Sequence, residues 1–141
     1  LFGQYQYDDE QLKPLLPKAF ILSDYENALE SHAANYHHLL EVCDNNINIA
    51  FNKWLNLLID IEDKSKEEAI NLNGVKLWLQ VFFDEKGKVE NIAYHLKPNS
   101  KNIDKEALTG FLSVFATSYE LPIESDHKFS HYTSVSFPVF E

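Results

Sequence analysis

The chain contains no arginine and no methionine, and its 141 residues include a single cysteine. Each absence removes a class of chemistry. Every basic residue is a lysine, so the planar guanidinium fork that clamps phosphates and carboxylates at two points is missing. The net charge of −10 at pH 7 argues further against a nucleic-acid backbone as partner. One thiol, Cys43, excludes an internal disulfide and a thiolate metal cluster. No apolar run reaches the length of a membrane-spanning helix. A glycine-rich phosphate loop and a nucleophile elbow are also absent. With no methionine in the chain, the opening Leu1-Phe2-Gly3-Gln4 reads as the trailing end of a bacterial export signal. That sets the expectation of a periplasmic or secreted protein. The other reading is a cut through a longer chain, with the cytoplasm left open.

What is present points to one domain, residues 1–141, with 45% hydrophobic residues and enough length for a true core. Charge is uneven: residues 1–73 hold 5 lysines against 13 acids, and residues 74–141 hold 7 against 9. The first half therefore offers a solvated acidic surface.

The clearest pattern lies between Leu72 and Pro98. Val75, Leu77, Leu79, Val81 and Phe83 alternate with Lys76, Trp78, Gln80 and Phe82, the period of a half-buried strand. Asp84-Glu85-Lys86-Gly87 is the turn, and Lys88 to Lys97 is the return strand. The favoured register sets Phe83 opposite Lys88, Leu79 opposite Ile92 and Leu77 opposite Tyr94. The competing one is a one-residue shift with a bulge at Gly87. Trp78, Phe82 and Val89 occupy the other face and call for a partial cover.

Upstream, residues 1–22 read as an extended arm pinned by Phe20, Ile21 and Leu22, since Pro14 and Pro17 exclude a continuous helix. Residues 23–73 read as a helical part. A first helix begins at a Ser23/Glu26 capping box and carries a stripe from Tyr25 to Cys43. A second, from about Ile47 to Glu62, has Ile47, Ala50, Phe51, Trp54, Leu58 and Ile61 as its buried stripe. The short gap at Asp44-Asn45-Asn46 makes the two an antiparallel pair. Ser65/Glu68 opens a short third helix or extends the second.

Downstream, Asn102 to Tyr119 is a helix buried through Ile103, Ala107, Leu108, Phe111, Leu112, Phe115 and Tyr119. Gly110 in its middle points to close packing on the sheet. Phe129 to Phe140 is the last strand, with Pro138 near its end. Strand directions then give an α+β fold. A helical pair precedes a three-stranded antiparallel sheet of β-β-α-β type, ordered second-first-third, with a right-handed crossover.

Residues 75–140 resemble the C-terminal domain of TonB-type energy transducers and their TolA-like relatives. The resemblance rests on Val81-Phe82-Phe83-Asp84, Gly87-Lys88-Val89, Asn91-Ile92, Ser100, Ile103-Asp104-Lys105-Glu106-Ala107-Leu108, Pro122 and Phe137-Pro138-Val139-Phe140. It covers about half the chain. A membrane anchor and a proline-rich spacer are not in it, and residues 1–73 have no counterpart. It implies the β-β-α-β fold and a partner peptide received at the last strand.

No residue set rises to a catalytic or cofactor site. His37-His38 with Glu41, and His127 and His131 near Asp126, have metal-like spacing but read better as solvated or structural histidines. Ser125-Asp126-His127 is not a triad, because neighbours in sequence lack the geometry. Cys43 lies on an apolar stripe and reads as buried and inert, although His38 is close enough in sequence for a thiol nucleophile. Asp84, Glu85 and Glu90 are turn and surface charges. The aromatic set Tyr119, Phe129, Tyr132, Phe137 and Phe140 reads as core, with a partner groove as the alternative. The expectation is a non-enzymatic interaction domain without metal or organic cofactor. It binds a protein or peptide of the cell envelope, or a second copy, at the free edge His131, Tyr132, Thr133, Ser134, Val135 and Ser136. The bland alternative for that edge is cover by residues 1–22. A small apolar-ligand carrier is the second functional reading, and a hydrolase a distant third.

Overall fold

The structure is a computed structural model that describes residues 16–139. One mixed sheet forms its centre. The strands are β1 (Ala19–Ile21), β2 (His37–His38), β3 (Lys76–Phe83), β4 (Val89–Leu96) and β5 (Phe129–Ser136), and the helices are α1 (Glu26–Ala33), α2 (Leu39–Val42), α3 (Ile47–Glu67) and α4 (Lys105–Ser118). Across the sheet the order is β1-β4-β3-β5-β2. The long strands pair antiparallel in the order β4-β3-β5. The short strands add in parallel at the two outer sides. The expected three-stranded sheet is thus corrected to five strands. Segments of two or three residues are too short to show a period, so alternation could not announce them.

The hairpin closes on Asp84. Its Oδ1 accepts from the amides of Lys86 (2.9 Å) and Lys88 (3.0 Å), its own amide donates to Lys88 O (2.8 Å), and Gly87 takes φ +86°. Phe83 faces Val89, one residue beyond the favoured register. A bulge at the Phe82/Phe83 step adds another, so Leu79 faces Tyr94 and Val81 faces Ile92. The bulge sits in the ladder rather than at Gly87. Because the slip past it is two residues, each side chain keeps its face while its partner changes.

The single helix expected from Ser23 to Cys43 is broken. A 3-10 turn at Leu22–Tyr25 leads into α1, and no side chain caps either start, so the Ser23/Glu26 box is not formed. The chain then leaves the helical path to pair with β5, His37 N donating to Lys128 O at 2.9 Å. α3 starts where Asn46 Oδ1 accepts from Ile49 N (3.1 Å) and runs on to Glu67. The Ser65 box is absent too: Ser65 is buried and its hydroxyl donates to Glu62 O.

α3 and α4 cover one sheet face. Leu77, Leu79, Val81, Phe83, Ile92, Tyr94, Phe129 and Val135 share a core with Trp54, Leu57 and Ile61 of α3 and Leu108, Phe111 and Phe115 of α4. Each such side chain contributes about 1.5–3 kcal/mol on burial. Tyr94 anchors α4, its hydroxyl donating to Lys105 O (3.1 Å) and lying 2.6 Å from Thr109 Oγ1. α1 lies on the other face, over Phe20, Phe82 and Ala93. The expected antiparallel pair of N-terminal helices is therefore not formed. α3 brings five buried residues to the larger core, while α1 brings only Leu29, which suits the smaller patch. Within α4, Ala107 is exposed, and a Cβ on Gly110 would meet nothing within 4 Å. Gly110 does not mark close packing.

Candidate interaction edge

β5 sends Phe129, His131, Thr133 and Val135 towards the helices and Ser130, Tyr132, Ser134 and Ser136 to the opposite face. Its backbone divides in the same way. Phe137 N donates to Val75 O (3.0 Å), and antiparallel bonding alternates residue by residue, so odd-numbered β5 residues bond to β3. The amides and carbonyls of the even-numbered residues point outward. β2 takes up the first of them at Ser130. Among the described residues, no strand pairs with the outer side of Tyr132, Ser134 or Ser136.

The six residues expected at the edge therefore split. Tyr132, Ser134 and Ser136 offer outward main-chain groups and exposed side chains. His131, Thr133 and Val135 are turned to α3. The His131 ring packs edge-on to Trp54 with centroids 4.6 Å apart, and Trp54 Nε1 donates to Thr133 Oγ1 (3.2 Å). Val135 is buried. Burial, and then the neighbouring His38, hold His131 below the ordinary histidine pKa. On the opposite side of the sheet β1 covers Ile92–Tyr94 of β4, and Ile92 N donates to Lys18 O (2.7 Å). Cover of the β5 edge by the arm is thereby corrected for Ala19–Ile21. Residues 1–15 lie outside the described residues.

Two features beside the edge were not legible as parts of a site. On the exposed face, Tyr132 (50% exposed) stacks beside Trp78 (37% exposed) at 5.6 Å, and the Lys97 ammonium lies 4.7 Å from the Trp78 ring. The cover expected for that face reaches Phe82 through α1 but leaves Trp78 open. On the helical face, Phe51 and Ile47 are 60% and 70% exposed, which removes them from the buried stripe assigned to α3. Phe51 precedes Trp54 by three residues and so neighbours it on the helix surface. The signal was the second apolar flank of this helix.

Two of the histidine candidates, His37 and His127, meet at one place. His37 and His127 stack at 4.1 Å, and His37 Nδ1 lies 3.3 Å from Glu41 Oε2. With Asp44, Glu124 and Asp126 they line a cleft of about 700 Å³. The His38 amide, then His37, hold the Glu41 carboxyl below its usual range. Among the described residues, no three His, Cys, Asp or Glu side chains converge as a cation requires. Cys43 is 6% exposed, and burial pushes its thiol pKa up. Asp84 closes the hairpin turn. Glu90 accepts from the Tyr36 hydroxyl and pairs with Lys128 Nζ at 3.2 Å. Burial, and then this bond, push the Tyr36 phenol up. Of the aromatic set, Phe129 and Phe137 are core, Tyr119 stacks on Phe115, and Phe140 lies outside the described residues. Within those residues no helix is long and apolar enough to cross a membrane. Comparison with known proteins leaves the geometry to speak alone: the chain matches no family model, no curated protein and no solved structure.

Proposed function

We propose that this chain is a non-enzymatic interaction domain of the cell envelope, periplasmic or secreted, which takes an added strand at β5. One observation carries the reading. Main-chain groups of Tyr132, Ser134 and Ser136 face outward without a strand partner among the described residues, on a stretch with no lysine or carboxylate to guard it. An added strand gains affinity from those groups and selectivity from the side chains flanking them. We also propose kinship with the TonB/TolA C-terminal type for residues 75–140. Supporting it are the β-β-α-β succession, the Asp84–Gly87 turn, and Ser100, whose Oγ accepts from Lys76 N (2.9 Å) and so ties the loop after the hairpin to β3.

The carrier reading requires a closed apolar chamber. The cleft at His37 is lined by charged groups instead, and the groove between β1 and α4 includes Lys105 and Glu106. Ser134→Pro tests the edge. The Ser134 amide points away from β3, so proline there removes an outward donor and leaves the β3 ladder intact. The expected result is a folded domain, by circular dichroism and thermal melting, that has lost strand addition. Unchanged association in a folded Ser134→Pro protein would place the site elsewhere.

A further inference from the structure

Resting on the edge reading above, we propose that the occupant is a second copy of this chain. In this pairing β5 lies antiparallel to the partner's β5 about a two-fold axis at Ser134, and α3 packs against its own copy over the junction.

The pattern of closed and open edges comes first. β1 closes the outer side of β4, and β2 closes β5 at Phe129 and Ser130. Among the described residues the outer sides of β1 and β2 are edges of only three and two residues, too short to template a partner, and the longest open stretch is Tyr132 to Ser136. A self-complementary edge of this kind pairs isologously and gives a closed pair rather than a fibre. Register follows from the outward groups. Centring the axis on Ser134 sets it opposite itself and Tyr132 opposite the partner's Ser136, so all three outward residues bond; the partner's Pro138, level with Ser130, lies past the end of its strand and has to turn away from β2. Centring it on Tyr132 drives the partner's Ser134 against Ser130, which β2 already occupies. Centring it on Ser136 sets Ser134 opposite the partner's Pro138, which has no amide hydrogen and lies past the strand end.

The helix supplies an independent observation. α3 runs in the same sense as β5: Trp54 bonds Thr133, and Glu62 Oε1 accepts from Val139 N (3.0 Å). An axis normal to the sheet places both copies of α3 on one face, antiparallel. The level of Ser134 falls near Leu55, so Leu55 meets the partner's Leu55 and Phe51 meets the partner's Ile59. From Ile47 to Ile59 the helix carries one charge, Lys53, and its ammonium donates to Pro122 O (3.0 Å) on the flank away from the edge. In a chain of net charge −10, this is where two copies approach with least repulsion. The exposed Phe51, the unpaired edge and the uncharged flank then have one explanation.

Oxidative cross-linking of Ser134→Cys tests the geometry. In a hydrogen-bonded antiparallel pair the Cα atoms lie about 5.5 Å apart, inside the roughly 4.4–6.8 Å span of a disulfide. In Ser136→Cys the two thiols lie four residues out of register, roughly 14 Å along the strands, and do not bridge. The wild type, with Cys43 buried, is the blank. Sedimentation equilibrium should show a dimer, weakened at least tenfold by Phe51→Glu, a change at an exposed position that spares the fold. A monomer at every concentration reached overturns the proposal. So does a dimer in which Ser136→Cys bridges as readily as Ser134→Cys, or one that Phe51→Glu leaves intact. Amide exchange separates this failure from failure of the edge reading. In a monomer, fast exchange at Tyr132 and Ser134 keeps the edge open for a different strand, and slow exchange there overturns both.

Discussion

Alanine at Gly87 should destabilise the domain far more than alanine at Gly74 or Gly110, and the difference is set by what surrounds each Cα. Gly87 has φ +86°, where a residue with a Cβ loses about 1–2 kcal/mol. Its added Cβ would also stand 2.0 Å from Leu121 O and 3.0 Å from Ile123 O. Those carbonyls are tethered. Leu121 N donates to Gly87 O and Ser125 N to Glu85 O, each at 2.8 Å, and Lys88 bridges Glu120. Forcing them apart adds about 1–3 kcal/mol of overpacking, for a total of about 2–5 kcal/mol. Gly74 has φ +89°, and a Cβ there meets the Lys101 Cβ at 3.3 Å, a contact relieved by a shift of a few tenths of an ångström. The backbone cost, about 1–2 kcal/mol, therefore dominates. Gly110 is helical and faces open space, so alanine should stabilise by about 0.5–1 kcal/mol. Urea unfolding followed by circular dichroism gives all three values. A Gly87→Ala protein within 1 kcal/mol of wild type, or no weaker than Gly74→Ala, would refute the reasoning that the hairpin tip is locked to the loop after α4.

Cys43 should resist thiol reagents in the native state and react at the rate of an unfolded thiol in denaturant. Fast stoichiometric labelling of the native protein would contradict its burial. His32 and His131 both have pKa values lowered chiefly by burial. The unfolded chain then binds more protons just below pH 6.5, so the stability these groups contribute is complete above that value and falls as the solution is acidified through their lowered pKa values. Urea midpoints measured downwards from neutral pH should decline, and His32→Gln should flatten the decline; a midpoint rising on acidification would contradict it.

The long strands and α4 were legible because each repeats its period often enough to be read. Lys76–Phe83 alternates through eight residues, and Leu108, Phe111, Leu112 and Phe115 return at helical spacing. The side-chain faces follow from that pattern. The register does not, since both expected and observed pairings put apolar residues on one face, and the bulge before Phe83 depends on backbone contacts that sequence does not display. β2 was hidden for a different reason. Tyr36, Leu39 and Cys43 continue the spacing of α1, yet the pairing of His37 with Phe129, 92 residues later, overrides it. At the candidate site, the alternation of Tyr132, Ser134 and Ser136 was readable. The exposure of Phe51 was not, because an apolar residue on a helix gives the same pattern whether it faces a core or an absent neighbour.

Both outer strands join the sheet in parallel with strands far ahead of them, Ala19 with Ile92 and His37 with Phe129. During synthesis each must therefore wait for a template made later. The hairpin β3–β4 is the first part of the sheet able to form locally, and only then does β1 have a strand to dock on. β2 waits longer, until β5 has emerged. Pairing thus proceeds outward from the hairpin, and α1 and α2 stay without their final neighbours until the hairpin and β5, respectively, have been made. A nascent chain halted before Phe129 would expose the whole outer side of β3, and emergence of β5 is the step that covers it.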